Sequence, residues 1–398
     1  QKKRSSSSLR RMLASSLRVS SAKINGVARR LMSTCDVALV GCGVPGRGMG
    51  WYHAKQIIDG EIPSAKLTDI VEPWFLGGGA SGPGGKEFAE FKAMCEPKGI
   101  RFHKSISDMP KAQGKKMAMI CTRTADMPQF FSEAIDNGCS HIFLEKPGAP
   151  TVAELESMAS KAAAAKVGVF MGYNKNVTKY VTKGREALAK VKNGHFTLVH
   201  HNAYKANELD ECFERNAEGL LKNMAIHELA LLVTFFNAKA DTLKSVTADK
   251  AYSSFETRIG PSSGKEFSDF SKIAFTIQTS DDQMLTVKAD RCGGLMPGGA
   301  MADGAMMYAA VEANGVLHER AIAPDAELAS VVDARAKANP AFMPYFHLQH
   351  DDYITLKERC CAAILAGSQP EGIATIQIAI DTLKLAETLK PLLEKQLI

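Results

Sequence analysis

From Asp36 onward, short apolar runs alternate with longer stretches whose apolar positions recur at helical spacing. Strands are read at 36–40 (DVALV), 66–71 (KLTDIV), 100–103, 116–121 (KMAMIC), 141–144 (HIFL) and 167–171 (VGVFM). Helices are read between them at 51–59, 86–97, 126–137 and 152–166. The last opens with a capping box in which Thr151 and Glu154 satisfy each other's backbone N–H groups. This alternation predicts an α/β unit, a parallel sheet covered by helices. The stretch Leu76–Gly85 holds six glycines and reads as a flexible surface loop.

After about Gly172 the pattern switches to strict alternation. Ile273, Phe275 and Ile277 alternate with polar residues, as do Leu285, Val287 and Ala289, and Ser280–Gln283 joins the two runs. A second hairpin is signalled by Asn314-Gly315, a pair that tolerates the left-handed backbone of a two-residue turn. Together they predict a mostly antiparallel, half-exposed open sheet. Residues 346–396 read as helical, with Ile373, Ile376, Ile380 and Leu383 as an apolar stripe and Pro391 closing or kinking the end. The expected organisation of the 398 residues is a basic tail over 1–34 and a Rossmann-type domain over 35–172. An α+β domain over 173–345 follows, then C-terminal helices over 346–398 that pack back on the body.

Charge changes the picture only at the start. The tail carries nine Lys and Arg and no acid, so an overall +6 leaves the rest of the chain at −3. Basic charge confined to a tail gives no folded basic face, so no nucleic-acid partner is expected. Arg- and Ser-rich, acid-free and with Leu9, Met12, Leu13 and Leu17 at helical spacing, the tail reads as an organellar presequence and predicts a mitochondrial location. Translation from Met32 would instead give a cytoplasmic protein. No apolar run approaches the ~18 residues of a membrane helix, so no membrane partner is expected. Nine cysteines without a C-x-x-C pair suit a reducing compartment and no zinc ribbon. His200 and His201 point to opposite faces of a strand, and His347 and His350, read on one helix face, lack a third ligand. No metal site is expected.

The segment VALVGCGVPGRGMGWYHA sets Gly41, Gly43 and Gly46 in G-x-G-x-x-G spacing between a strand and a helix, with Val44 and Pro45 inside the turn. The first glycine permits the turn, the second admits a pyrophosphate and the third allows close helix–strand contact. Glu72 ends the second strand, where a carboxylate can accept hydrogen bonds from ribose hydroxyls. With no Arg after it, it favours NAD over NADP. Counted from Gly46 the spacing to Glu72 is 26 residues against the usual ~20, but from Gly50 it is 22, which points to an insertion of one helical turn.

The stretch from Cys121 to Asn176, with Thr122 ending a strand, Glu145-Lys146-Pro147 after the strand HIFL and Gly172-Tyr173-Asn174 after the next, resembles the glucose-fructose oxidoreductase/inositol dehydrogenase (Gfo/Idh/MocA) family. The resemblance covers about residues 36–175 well and the rest loosely. It implies NAD or NADP bound by the glycine turn, Thr122, Glu145 and Lys146, with Lys146 reaching both the nicotinamide ribose and a substrate hydroxyl. It also implies that GLLKNMAIHELALLVTFF is the helix that faces the nicotinamide, with Asn223 and His227 in the places of an acid and a histidine. A separation of four puts both on one helix face.

By chemistry, an ammonium at Lys146 stabilises developing alkoxide, His227 takes the proton, and Asn223 orients the hydroxyl. Asn174 and Tyr204 are further substrate candidates, and Tyr173 and Lys175 could line the pocket. Asn223 departs from the family's aspartate, as does Ala230 from a second one. The expected function is hydride transfer between nicotinamide and a secondary alcohol of a sugar, polyol or related diol, by a homo-oligomer, dimer or tetramer. Two other readings stay open: a catalytically silent dinucleotide-binding sensor or scaffold, and an NAD-dependent glycosidase.

Overall fold

A computed structural model describes residues 34–294, 301–342 and 344–398. The presequence reading of the tail lies outside the described residues.

Six strands, β1 (Cys35–Val40), β2 (Ala65–Val71), β3 (Arg101–His103), β4 (Lys116–Ile120), β5 (His141–Leu144) and β6 (Gly168–Met171), form one parallel sheet in the order β3-β2-β1-β4-β5-β6. All five β4 residues are buried, as a strand covered by helices on both faces requires. The strand order reverses between β1 and β4, which opens a crevice at their C-terminal ends. The one charge on β4, Lys116, is tolerated because its Nζ lies 2.6 Å from the buried Asp69 carboxylate, which Arg101 and His103 also bond.

The second sheet contains β7 (His195–His201), β8 (Leu243–Ala248), β9 (Ser254–Ile259), β10 (Glu266–Thr279), β11 (Met284–Asp290), β12 (Met307–Ala313) and β13 (Val316–Ala323). Its order is β13-β12-β7-β11-β10-β8, with β9 paired to β10. Both hairpins form, with Asp282 at φ 62° in the first turn and Asn314 and Gly315 at φ 51° and 76° in the second. The sheet is mostly antiparallel, as expected, with one parallel pair. β7 slots between β11 and β12, which run in opposite directions, so it is antiparallel to β12 and parallel to β11.

The C-terminal region, expected to be helical over 346–396, consists of three separate helices. Helices cover Pro344–Leu348, His350–Ala366 and Ile376–Leu397, and Gly367 at φ 68° ends the second. Ile373 therefore lies in a connecting segment, where the Ala374 carbonyl accepts from Met171 N at 2.9 Å at the edge of the parallel sheet. Pro391 neither ends nor closes the last helix, which runs to Leu397 with the proline on its exposed side. Residues Tyr353, Leu356, Cys360, Cys361 and Ile364 of the middle helix pack into the core around β1. The last helix contacts both helix Val152–Ala165 and helix Ile226–Phe236, so one apolar core runs from the first domain into the second.

Candidate functional site

Gly41 and Gly43, at φ 83° and 71°, make the turn that follows β1. A Cβ on Gly41 would lie 2.7 Å from the Thr122 Cγ2 atom, so the turn and the end of β4 touch. Together with Val44, Trp74, Thr122 and Phe130 they border a cleft of about 770 Å³ at the sheet's reversal point.

The third glycine's task does not fall to Gly46. A Cβ there would meet nothing nearer than the Ala341 carbonyl at 3.5 Å, whereas one on Gly50 would sit 1.9 Å from the Gly41 carbonyl oxygen. Gly50, in helix Met49–Ile58, is the close-contact glycine. Gly46 belongs to an added turn, closed by Arg47 N and Gly48 N on the Val44 carbonyl at 3.0 and 2.7 Å, and Pro45 lies within it. This is the inserted turn that the long spacing to Glu72 requires.

Glu72 is buried at the end of β2, and its carboxylate already holds protein. Oε2 accepts from Cys42 N and Gly43 N at 2.8 and 3.0 Å, and Oε1 accepts from Trp74 N at 3.1 Å. It thereby fixes the shape of the glycine turn, a task that the spacing alone did not reveal. Thr122, on the opposite wall, has a buried Oγ1 without a partner among the described residues.

Glu145 and Lys146 follow β5 and diverge. The Glu145 carboxylate turns inward, to His53 Nε2 at 2.9 Å and Lys146 N at 3.3 Å. The Lys146 ammonium crosses to the second domain and donates to the Asn223 carbonyl at 3.0 Å. That carbonyl is free because the expected single helix is broken, a correction to the sequence reading. Leu220–Asn223 and Ile226–Phe236 are separate helices, joined through Ala225 at φ −74°, ψ −3°. Asn223 and His227 thus sit on either side of a break rather than along one helix face. No glycine or proline marks it in the sequence.

His227 is buried, its ring edge-on to Tyr173 at 6.0 Å between centroids, and its Nδ1 has no partner among the described residues. Burial, and then the nearby Lys146 and Lys175 charges, hold its pKa well below the ordinary imidazole value. Burial likewise lowers Lys146, against the opposing pull of Glu145, Glu218 and Glu228. Lys146 and His227 therefore share one electrostatic neighbourhood.

Glu228 was missed in the sequence. Wholly buried, it accepts from Lys175 Nζ at 2.5 Å and pairs with His200 Nδ1 at 3.2 Å, so a charged cluster underlies His227. The available signal was an acid in a helix otherwise apolar but for His227 and Thr234. Lys175 faces this cluster. Asn174 is also buried, its Nδ2 on Gln349 Oε1 at 3.2 Å and its Oδ1 unpartnered among the described residues. Asn223 donates from Nδ2 to Glu218 at 2.7 Å, and the Tyr204 hydroxyl accepts from Arg215 at 3.0 Å. His347 and His350 lie on separate helices, and among the described residues no group of three or more His, Cys, Asp or Glu is placed to hold a metal.

Residues 82–173 match the sequence profile of the GFO_IDH_MocA oxidoreductase family, described as having an NAD-binding Rossmann fold. No curated protein sequence matches the chain. Solved structures share the fold over most of their length. A probable dehydrogenase from Thermotoga maritima superposes with a TM-score of 0.64 at 15% identity, covering 91% of this chain and 97% of that one. The scyllo-inositol dehydrogenase of Lactobacillus casei, solved with bound NAD(H) and scyllo-inositol, gives 0.63 at 16%, covering 91% and 98%. A myo-inositol dehydrogenase from Corynebacterium glutamicum gives 0.62 at 16%, covering 91% and 96%. At such identities the likeness is one of fold.

Proposed function

We propose that the chain belongs to the Gfo/Idh/MocA oxidoreductase family and that it moves a hydride between bound NAD and a secondary alcohol of a sugar, polyol or related diol. The observation that carries this reading is the convergence of Lys146, which follows β5 next to the strand that leads to Thr122, with Asn223 and His227 from the second domain.

The residues present fit a dinucleotide. Gly41 and Gly43 leave the turn bare of side chains, the buried Thr122 Oγ1 awaits a partner, and an exposed Trp74 borders the cleft. Bound nicotinamide supplies the hydride acceptor. The protein does the rest. Lys146 donates to the alcohol oxygen and stabilises negative charge as it develops there, and neutral His227 accepts the hydroxyl proton. Asn223 orients the hydroxyl. NAD is favoured because Pro73 and Trp74, rather than a cation, follow Glu72, while Arg123 across the cleft is held by Asp126 at 2.8 Å. The exposed Ile259, Val316, Leu317 and Ile322 of the second sheet support assembly as a homo-oligomer, and the acid-free tail supports a mitochondrial location.

The test is to offer the purified protein NAD or NADP with a panel of polyols and sugars and to follow reduced nicotinamide by absorbance. Turnover of at least one polyol, faster with NAD, is expected. Cofactor binding without turnover of any alcohol would favour the silent sensor, for which Asn223 in place of an acid speaks. Release of phenol from an aryl glycoside without net reduction would favour the glycosidase.

A further inference from the structure

Behind the Lys146 turn runs a buried chain of polar groups that the mechanism above does not use. Helix Met49–Ile58 supplies His53 and Gln56, and helix His350–Ala366 supplies Lys357. Both His53 and Lys357 are fully buried. Lys357 Nζ lies 3.0 Å from His53 Nδ1 and also donates to Gln56 Oε1. On the other side of the ring, His53 Nε2 lies 2.9 Å from Glu145 Oε1, and Glu145 Oε2 accepts from the Lys146 backbone N–H.

The direction of each bond follows from what the end groups can do. An ammonium only donates, so His53 Nδ1 must present its lone pair to Lys357 and the ring proton must sit on Nε2. A carboxylate only accepts, so that Nε2–H is the hydrogen Glu145 requires. Phe143 and Tyr353 hold the ring edge-on, at 5.6 and 5.3 Å. A Cβ on Gly172 would lie 2.7 Å from Glu145 Oε1, so the carboxylate fits where it does because residue 172 is glycine.

We propose that Lys357 is a positioning residue: its ammonium fixes the His53 proton on Nε2, His53 thereby holds Glu145, and Glu145 holds the turn that aims Lys146. The inference rests on the role given to Lys146 above. Lys357 stands about 20 positions from the last helix of the chain, in a segment with no motif, and reaches the site only because its helix packs against the first one. The charged and titratable groups around Lys357 are His53, Glu145, Glu61, Tyr353, Cys121 and Cys361. Burial, opposed by those anions and thiols, brings Lys357 down to about 7, while burial and then Lys357 bring His53 down to about 4. The ring is therefore neutral near neutral pH. Above the titration of Lys357 the amine can accept from Nδ1–H, and only Glu145, from one side of the ring, still selects the Nε2–H tautomer.

The test combines histidine nitrogen-15 NMR with kinetics on the full-length chain. In the wild type at pH 6 the His53 shifts should report a proton on Nε2. In Lys357→Met the tautomers should mix, and kcat should fall by about tenfold to a hundredfold while the Kd for NADH stays within about threefold. The wild type should lose its pure Nε2–H signature as pH rises above about 7, a readout that needs no variant to fold. A wild-type proton on Nδ1, a variant that keeps the Nε2–H tautomer, or an unchanged kcat would overturn the proposal. Should the wild type turn over no alcohol, the functional reading fails, and the tautomer comparison alone then decides the role of Lys357.

Discussion

Lys146 reaches across the domain boundary to a backbone carbonyl, so its ammonium is held by a neutral group rather than neutralised by an acid. In the proposed mechanism an ammonium so held is left to meet a developing alkoxide. Lys146→Ala should lower kcat/KM by about a hundredfold to ten-thousandfold while NADH affinity, measured by fluorescence titration, changes by less than about tenfold. Retained turnover would remove Lys146 from the mechanism. His227 makes a different prediction. Because burial and two lysines hold its pKa below the ordinary ~6.5, it stays neutral, and able to accept a proton, through neutral pH. The pH profile of kcat/KM for alcohol oxidation should show its acid limb below 6.5. A limb at or above that value would assign the proton to another group.

At the scale of the element, the glycine turn and the first helix are joined by one contact that admits no side chain. Gly50→Ala places a Cβ against the Gly41 carbonyl and should destabilise by about 3 kcal/mol or more, with weakened NADH binding. Gly46→Ala meets only an ordinary contact with the Ala341 carbonyl and should cost only the left-handed backbone, about 1–2 kcal/mol. Urea melts of the two variants give the comparison, and equal losses would return the third glycine's task to Gly46. Across β1, Asp69 is pulled below the usual carboxylate range by hydrogen bonds from Arg101, Lys116, Thr68 and His103, which outweigh burial. A carboxyl lowered on folding contributes stability above its unfolded pKa of ~3.9 and loses it as pH falls below that value. Asp69→Asn should cost about 3–5 kcal/mol at pH 7, and the difference from wild type should shrink below pH 4.

The whole molecule is tied together by its C-terminal end. The last helix packs on helix Val152–Ala165 of the first domain and helix Ile226–Phe236 of the second, and the shared core runs from Ala38 to Leu393. Calorimetry should therefore show one cooperative transition rather than two. Removing residues 368–398 should expose both helices and abolish folding of either domain; a first domain that still melts cooperatively would contradict a shared core. The same arrangement brings together the three distant regions of the proposed site, the turn after β5, the broken helix and helix His350–Ala366.

The chain's own pattern determined the elements of the first domain, because alternating strand and helix periods and turn residues are local properties. The strands from 36 to 171, the capping box at Thr151 and the Asn314-Gly315 turn all stand within a few residues of where the pattern put them. Tyrosine-lined burial of His227, the break after Asn223 and the Lys175–Glu228–His200 cluster were decided by packing between residues far apart in the chain, which leaves no local mark. Gly50 rather than Gly46 became the contact glycine because an added turn displaced the helix start, and spacing fixes only how many residues intervene, not which of them meets the strand. Glu145 and Lys146 are neighbours in sequence, yet one is anchored from the first helix and the other from the second domain. Adjacent side chains on an extended turn point apart, so only the tertiary fold could say what each would touch.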